Sequence, residues 1–146
     1  MAIEITNTVI DDADAYFANR LESTAWELAD DPTKNRALKT ASTILNNMSW
    51  VGTPTGVDYA FPRYLPNSNV PTTPLKVLQA LYEQSLHLLQ NPSVLHTEEA
   101  VESLVLGPLK LEKIKPVGLV APLVFRLISD FTAGGSAGGA SWWRAN

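Results

Sequence analysis

Two stretches of the chain carry apolar side chains at helical spacing, and a long segment rich in proline and glycine separates them. Within each stretch the apolar residues recur every three or four positions, which is the pattern of a helix with one buried face. The stretches span 32–48 and 74–90, and their apolar positions are Ala37, Leu38, Ala41, Ile44, Leu45 and Met48, then Leu75, Leu78, Leu81, Tyr82, Leu86 and Leu89. The sequence therefore predicts two amphipathic helices within a mainly α-helical fold.

Aspartate and proline mark the ends of these two helices. Asp31 followed by Pro32 predicts an N-cap and then proline at the first helical position. Pro74 opens the second helix, and Pro92 ends it because the residue before a proline is disfavoured in a helical conformation. Both helices therefore have ends that the sequence itself defines.

The N-terminal region predicts an extended segment followed by a helix. Residues 1–10 are expected to be extended, and Asp11 or Asp12 is expected to cap a helix that runs to about Arg20. The residues expected on its buried side are Tyr16, Phe17 and Leu21. A short helical turn is expected around Trp26.

The C-terminal half predicts a small β-hairpin and a last helix. Residues 101–106 and 109–115 flank Gly107-Pro108 and are expected to pair as strands. A helix is expected over about 121–131. Its apolar stripe comprises Leu119, Val120, Leu123, Val124, Leu127, Ile128 and Phe131. With the three helices before it, this gives a four-helix domain with one hairpin.

The end of the chain has the most unusual composition. A glycine-rich arm over 133–146 has the composition of a flexible linker, and it ends with Trp142, Trp143 and Arg144 followed by two more residues. Tryptophan and arginine are enriched at binding hot spots, and exposed tryptophans promote aggregation unless a partner covers them. We therefore expect an arm that binds another protein, attached to a single domain over 1–132.

The segment between the two amphipathic helices is a long loop, which Gly52, Pro54, Gly56, Pro62, Pro66 and Pro71 exclude from regular helix. Loops longer than about 15 residues in a compact domain are usually functional or held by a partner. The aromatic residues of this region and their neighbouring arginine are Trp50, Tyr59, Phe61, Arg63 and Tyr64. Stacking aromatics and a cation suit single-stranded nucleic acid, whereas aromatics in a proline-rich loop also pin such a loop to the core. The residues alone leave both interpretations open.

Charge is unevenly distributed along the chain, whose formal net charge is −4. Residues 1–31 carry eight acidic residues and one basic residue, while the remainder carries seven acidic and ten basic residues. A subunit polarised in this way could stack its acidic part on the basic part of a neighbour. Acidic residues also concentrate at helix N-termini, where the helix dipole favours them, so this pattern has two explanations. The overall acidity argues against a nucleic-acid-binding domain, which is usually basic.

The sequence offers no set of residues that predicts catalysis or metal binding. It has no cysteine, and two histidines, His87 and His96, are too few for the three or four ligands of a zinc site. Asp11, Asp12 and Asp14 could hold Mg²⁺, but helix capping explains them fully. We expect no enzyme activity and no cofactor, because a nucleophile, a base and an electrophile cannot be assembled. No segment approaches the roughly 20 apolar residues of a membrane span, so no membrane partner is expected.

Several short motifs occur in a fixed order along the chain. They are Asp14-Ala15-Tyr16-Phe17, Ala37-Leu38 with Ala41, Trp50, Phe61-Pro62-Arg63, Val70-Pro71 and Leu106-Gly107-Pro108-Leu109. In this order they resemble the phage family often labelled DnaT-like single-stranded DNA-binding protein. The helical layout is also similar to the head–tail connector adaptors, or head-completion proteins, of tailed phages. The resemblance covers about residues 10–130.

The resemblance implies a structural protein of the virion, located at the neck between capsid portal and tail after assembly in the host cytoplasm. In such adaptors twelve copies form a ring on the portal, and genomic DNA passes through its channel without sequence recognition. The other face of the ring receives a tail, nozzle or stopper protein. The alternative that the family label implies is a single-stranded-DNA-binding replication protein.

Residues of this chain take on roles when the resemblance is carried over to them. Trp142, Trp143 and Arg144 would contact the portal. Loop 51–72 would contact neighbouring subunits or the tail. The residues expected to make the loop's contacts are Trp50, which directly precedes it, and Tyr59, Phe61, Arg63 and Tyr64.

Overall fold

The computed structural model describes residues 7–57, 59–95 and 118–133. These residues form five α-helices: α1 (Asn7–Ala18), α2 (Thr24–Leu28), α3 (Asp31–Asn46), α4 (Leu75–Gln90) and α5 (Pro122–Ile128). They also form two strands, β1 (Thr53–Pro54) and β2 (Arg63–Tyr64), and two 3-10 turns, Pro92–Leu95 and Ser129–Phe131. The prediction of a mainly α-helical fold is confirmed, and α2 occupies the place of the helical turn expected around Trp26. The hairpin predicted at 101–115 lies outside the described residues.

Helix α4 lies at the centre of the fold and contacts α1, α2, α3 and α5. Every residue from Ala80 to Leu88 is buried. A helix that is buried on all sides must satisfy its polar side chains within the protein. The polar side chains of this stretch, each of which has a hydrogen-bond partner, are Glu83, Gln84, Ser85 and His87. No helix in the described ranges is long and apolar enough to cross a membrane.

The predicted apolar stripe of α4 is confirmed except at its first position, and Leu78 and Leu89 are half-buried against the core. Leu81, Tyr82 and Leu86 are buried as predicted, but Leu75 is 67% exposed. Val77 faces the core instead, and Leu75 lies roughly 200° away from it around the helix axis. Leu75 therefore cannot share the face that Val77 buries at the start of the helix.

Helix α3 begins one residue earlier than predicted. Its N-cap is Asp30, whose backbone is extended and whose side chain accepts a hydrogen bond from the Thr33 N–H at 2.8 Å. Asp31 is already helical, and Pro32 is tolerated in the first turn because its missing N–H would have no intrahelical partner there. Two adjacent aspartates offer the same cap chemistry, so the sequence could not distinguish them.

Helix α1 also begins earlier than predicted. It starts at Asn7, so the residues just before Asp11 are helical rather than extended, and neither Asp11 nor Asp12 caps the helix. Val9 and Ile10 pack against the core, which stabilises an additional helical turn. The remainder of the predicted extended segment lies outside the described residues.

The end of α1 buries a different set of residues from the predicted one. Phe17 is buried and Tyr16 is half-buried, as predicted, but Leu21 is 87% exposed. Helix α1 ends at Ala18, and the chain then turns through Glu22 with a φ of +57°. Leu21 consequently leaves the helical register that would have placed it beside Phe17, and its predicted burial is wrong.

Helix α5 is fastened to α4 through the backbone that precedes it. The Gln84 side chain donates to the Leu119 carbonyl oxygen at 2.8 Å and accepts from the Ala121 N–H at 3.1 Å. His87 Nε2 lies 2.7 Å from the Gly118 carbonyl oxygen. Val124 is fully buried, so one face of the short helix packs against α4. The last helix was thus predicted at the correct place, with its end completed by a 3-10 turn.

Candidate interaction surface

The loop predicted over 49–73 contains the small β-sheet of the structure. Strands β1 and β2 pair antiparallel, with Thr53 opposite Tyr64 and Pro54 opposite Arg63. A further bridge joins Arg63 to Thr72. Three parts of the loop are therefore held side by side by backbone hydrogen bonds, which gives a segment of this length a defined shape.

Arg63 holds the loop together from the inside. Its side chain is buried, which is rare for arginine, and its Nη atoms have hydrogen-bond partners whereas its buried Nε has none. Nη1 donates to the Ala60 carbonyl oxygen at 3.2 Å, and Nη2 donates to the carbonyl oxygens of Gly52 at 2.9 Å and Trp50 at 3.4 Å. Its backbone N–H and carbonyl pair with Thr72 at 3.1 and 3.0 Å. One residue thus connects the beginning, the middle and the end of the loop.

The charge of Arg63 is balanced by backbone dipoles. Burial lowers the pKa of its guanidinium, because removal from water disfavours the charged form. Within the described part of the chain no carboxylate lies within ion-pair distance of it. The guanidinium carbon lies 5.6 Å from the centre of the Phe61 ring, whose electron-rich face also attracts a cation. A guanidinium keeps its proton even in such surroundings, so the loop encloses a positive charge.

Two aromatic residues anchor the root of the loop. Trp50 and Phe61 are buried and meet edge to face, with ring centres 4.8 Å apart. The Trp50 indole N–H donates to the Leu45 carbonyl oxygen at 2.8 Å, which ties it to the end of α3. The Val51 N–H donates to the Phe131 carbonyl oxygen at 2.9 Å. Trp50, Phe61 and Arg63 therefore pin the loop to the core, which was one of the two interpretations that the sequence left open.

Gly52 is required by the close approach of the two strands. Its φ is +81°, a conformation that residues with a Cβ rarely adopt. A Cβ at this position would lie 2.0 Å from the Tyr64 carbonyl oxygen. By contrast, a Cβ added at Gly56 would have no heavy atom within 4 Å. The first glycine shapes the loop, and the second imposes no such requirement.

Four apolar or aromatic side chains of the loop face outward, and we call them the loop surface: Val57, Tyr59, Tyr64 and Val70. Val57 is fully exposed and Val70 is 63% exposed. Tyr64 follows buried Arg63 on β2 and points to the other face, as successive residues of a strand do. Of the five residues predicted to form an interface, only the two tyrosines are thus exposed. The valines were missed because the prediction considered aromatics and cations alone.

The predicted portal contacts Trp142, Trp143 and Arg144 lie outside the described residues. The point at which their arm leaves the fold is well defined. The Ala133 N–H donates to the Ser49 carbonyl oxygen at 2.8 Å, immediately before the root of the loop. The arm and the loop therefore leave the helical core at the same place.

The acidic N-terminal region is partly used for internal contacts. Asp14 accepts hydrogen bonds from the Trp26 indole N–H at 2.8 Å and from Lys34 Nζ at 3.0 Å. Lys34 Nζ also lies 5.2 Å from the centre of the Trp26 ring. This cluster joins α1, α2 and α3. Within the described ranges no group of three or more histidine, aspartate or glutamate side chains could hold a metal ion.

A second polar cluster joins α1 to the buried face of α4. Glu83 accepts hydrogen bonds from the Tyr16 hydroxyl and from Arg20 Nε, both at 2.6 Å. Burial raises the pKa of Tyr16, and its hydrogen bond to Glu83 raises it further. The bond to Glu83 likewise raises the pKa of Arg20. A buried carboxylate is stabilised in this way by two donors, and the cluster serves to hold α1 in place.

No protein-family model, curated protein or solved structure matches the chain. A functional interpretation therefore depends on the surfaces of this molecule. The loop surface is the most distinctive of them, because it combines internal bracing with outward apolar side chains.

Proposed function

We propose that the chain is a non-catalytic structural protein of a tailed-bacteriophage virion. As a head–tail adaptor it forms a ring on the portal, extends the DNA channel and provides the docking surface for tail components. The observation that supports this proposal is the construction of loop 51–72. Arg63 and Phe61 brace it from within, while the loop surface presents apolar and aromatic groups to solvent.

A loop of this kind suits protein assembly. Binding costs conformational entropy whenever a flexible segment must become ordered, and internal bracing removes much of that cost in advance. Tyrosine is among the residues that contribute most at interface hot spots. Tyr59 and Tyr64 are 37% and 42% exposed, so each has one part held by the loop and another available to a partner. Every copy of the chain would present the same preformed surface.

Charge polarity is compatible with a ring of identical subunits. A closed ring uses two different faces of each subunit, so complementary faces must exist on one molecule. Asp11 and Asp12 are exposed on α1, while Arg36 and Lys39 are exposed on α3. Contact between such regions of adjacent copies would favour a head-to-tail arrangement.

The C-terminal arm would supply the portal contact. One arm ending in Trp142, Trp143 and Arg144 would bind weakly, but many arms on one ring would bind together. A ring of twelve copies, as the resemblance implies, would multiply the contact accordingly. The ring would then present its opposite face to a tail, nozzle or stopper protein.

Single-stranded-DNA binding remains the alternative function. The loop has a single basic residue, Arg63, and it is buried together with Trp50 and Phe61. Only Tyr59 and Tyr64 are left to stack on bases, without a cation from the loop to contact phosphates. This geometry favours the adaptor over the DNA-binding protein. Titration with labelled single strands distinguishes them, because DNA binding would be tight at low salt and weaken steeply as salt is added.

The loop surface is tested by replacing its apolar groups without disturbing its interior. We expect the variant Val57→Ser, Tyr64→Ser, Val70→Ser to remain folded by circular dichroism but to lose ring formation, alone or with purified portal rings, in light scattering and negative-stain micrographs. The matched control is Leu21→Ser, Leu28→Ser, which removes apolar groups that are 87% and 82% exposed on another part of the molecule. If the triple variant forms as many rings as the wild type, the loop surface has no role in assembly.

A further inference from the structure

An open apolar groove lies between α3 and the C-terminal end of α4. Its volume is about 170 Å³. Ala37, Leu88, Leu89 and Leu95 supply its apolar lining, and Arg36 contributes a guanidinium. Leu95 is 43% exposed although it belongs to this lining, so apolar surface at the groove faces solvent. The groove lies at residues 33–40 of α3, whereas loop 51–72 follows the C-terminal end of that helix.

The size of the groove indicates what it can hold. Pockets for cofactors and drug-sized ligands measure roughly 300–1,000 Å³, which is well above this volume. A cavity of about 150 Å³ holds one benzene molecule. The groove therefore fits a single aromatic side chain. Arg36 adds a cation that can lie against an indole ring, which attracts cations more strongly than other aromatic side chains.

The arm of the same chain carries suitable side chains at the required distance. The described chain ends at Ala133, whose backbone N–H is hydrogen-bonded to the Ser49 carbonyl oxygen just after α3. From there to the groove beside Ala37 is roughly 15–20 Å along the helix, at about 1.5 Å per residue. The nine residues 133–141 are rich in glycine, and a tether of this composition has a root-mean-square length of roughly 15–18 Å.

We propose that an indole of the arm, Trp142 or Trp143, occupies the α3–α4 groove of its own chain before assembly. The tether length matches the span, which is the condition for the highest effective concentration of a linked group. The groove thereby shields an apolar side chain that would otherwise promote aggregation. This inference is independent of the proposed function, although a portal that binds the arm would have to displace it from the groove.

Another segment also begins at the groove. Residues 96–117 follow Leu95 directly, but they contain no tryptophan, tyrosine or phenylalanine. They offer aliphatic side chains to the groove and carboxylates such as Glu98 to Arg36, but no indole or benzene ring of the size that the groove volume fits. We therefore assign the groove to the arm, and the cross-linking experiment tests whether the arm occupies it.

The absence of cysteine from the chain permits a clean cross-linking test. Two cysteines are introduced together into the full-length protein. Thr40→Cys places one in the groove, and Ser141→Cys places the other on the arm, next to Trp142 in the sequence. We expect this pair to form an intramolecular disulfide in dilute solution about tenfold faster than the control pair Thr43→Cys with Ser141→Cys. Thr43 is exposed on α3 and closer to Ser49, so an arm without a docking site would reach it at least as easily.

Two further variants test the chemistry of the contact. Trp142→Ala, Trp143→Ala removes the indoles, and Leu89→Asp makes the groove polar. Each change should slow disulfide formation by the Thr40→Cys pair to the rate of the Thr43→Cys control. The helical circular dichroism should remain unchanged. Equal rates for the two cysteine pairs in the parent chain would overturn the proposal, since they would leave the groove to 96–117 or empty. Disulfide-linked dimers would also overturn it, because the arm would then bind a second copy. Ring formation is measured separately, so failure here leaves the proposed function standing.

Discussion

Arg63 and Gly52 show how single residues give a long loop a fixed shape. Three of the carbonyl groups around Arg63 would have no equivalent donor without it, and Gly52 permits the backbone to approach Tyr64. The two residues act on the same part of the loop, since the Gly52 carbonyl is itself an acceptor for Arg63. The shape of the loop surface therefore depends on two residues, the buried Arg63 and Gly52, that do not themselves belong to it.

The requirement for glycine is tested by comparing two alanine substitutions in the same loop. Gly52→Ala should lower the free energy of unfolding by about 1–3 kcal/mol, because it combines a positive φ with a Cβ too close to a carbonyl oxygen. Gly56→Ala, which meets no atom, should change it by less than about 0.5 kcal/mol. Urea unfolding followed by circular dichroism measures both. Equal effects of the two substitutions would contradict the geometry described for Gly52.

At the scale of the element, periodicity predicted the two central helices, because the apolar residues of α3 and α4 repeat regardless of what lies beyond them. Which of two adjacent aspartates caps α3 could not be predicted, because Asp30 and Asp31 differ only in backbone conformation. The sequence also could not predict that the side chains of Trp50, Phe61 and Arg63 are buried. A loop has no period, and the partners of Arg63 are up to 13 residues away. Without those contacts, the sequence does not distinguish an aromatic residue that is buried from one that is exposed.

The cap of α3 gives a prediction with a defined pH dependence. Hydrogen bonds from the Thr33 side chain and backbone lower the pKa of Asp30 below its ordinary value of 3.8. The carboxylate therefore stabilises the folded chain above that pH, and its contribution is lost as the pH falls through the lowered folded pKa. Asp30→Ala should lower the melting temperature at neutral pH more than Asp31→Ala does, and the difference should vanish in strong acid. A larger effect of Asp31→Ala at neutral pH would assign the cap to the residue that the sequence predicted.

At the scale of the whole molecule, α4 is the element around which the others assemble. Three of its buried polar side chains reach neighbouring segments: Glu83 holds α1, and Gln84 and His87 hold the backbone that leads into α5. The described fold is therefore a single body fastened at several points along one helix. The arm beyond Ala133 is expected to act in binding and not in maintaining this body.

Removal of the arm separates its role from that of the folded body. Deletion of residues 134–146 should leave the helical circular dichroism unchanged and should abolish co-sedimentation with portal rings, because the proposed contact is lost. The substitution Trp142→Ala, Trp143→Ala in the full-length chain tests the two indoles separately from the length of the arm. It should weaken portal binding although the arm keeps its length. Portal binding that survives both changes would exclude the arm as the portal contact.

The shared exit of arm and loop has a mechanical consequence. The bond from Ala133 to Ser49 and the bond from Val51 to Phe131 form one seam, and both segments emerge from it. Tension applied by a partner that pulls on the arm would reach this seam before it reached any helix. The β1–β2 sheet follows this seam in the chain, so a pull on the C-terminal arm would act first where the loop begins. Binding of one partner by the arm would then alter how tightly the loop surface binds another.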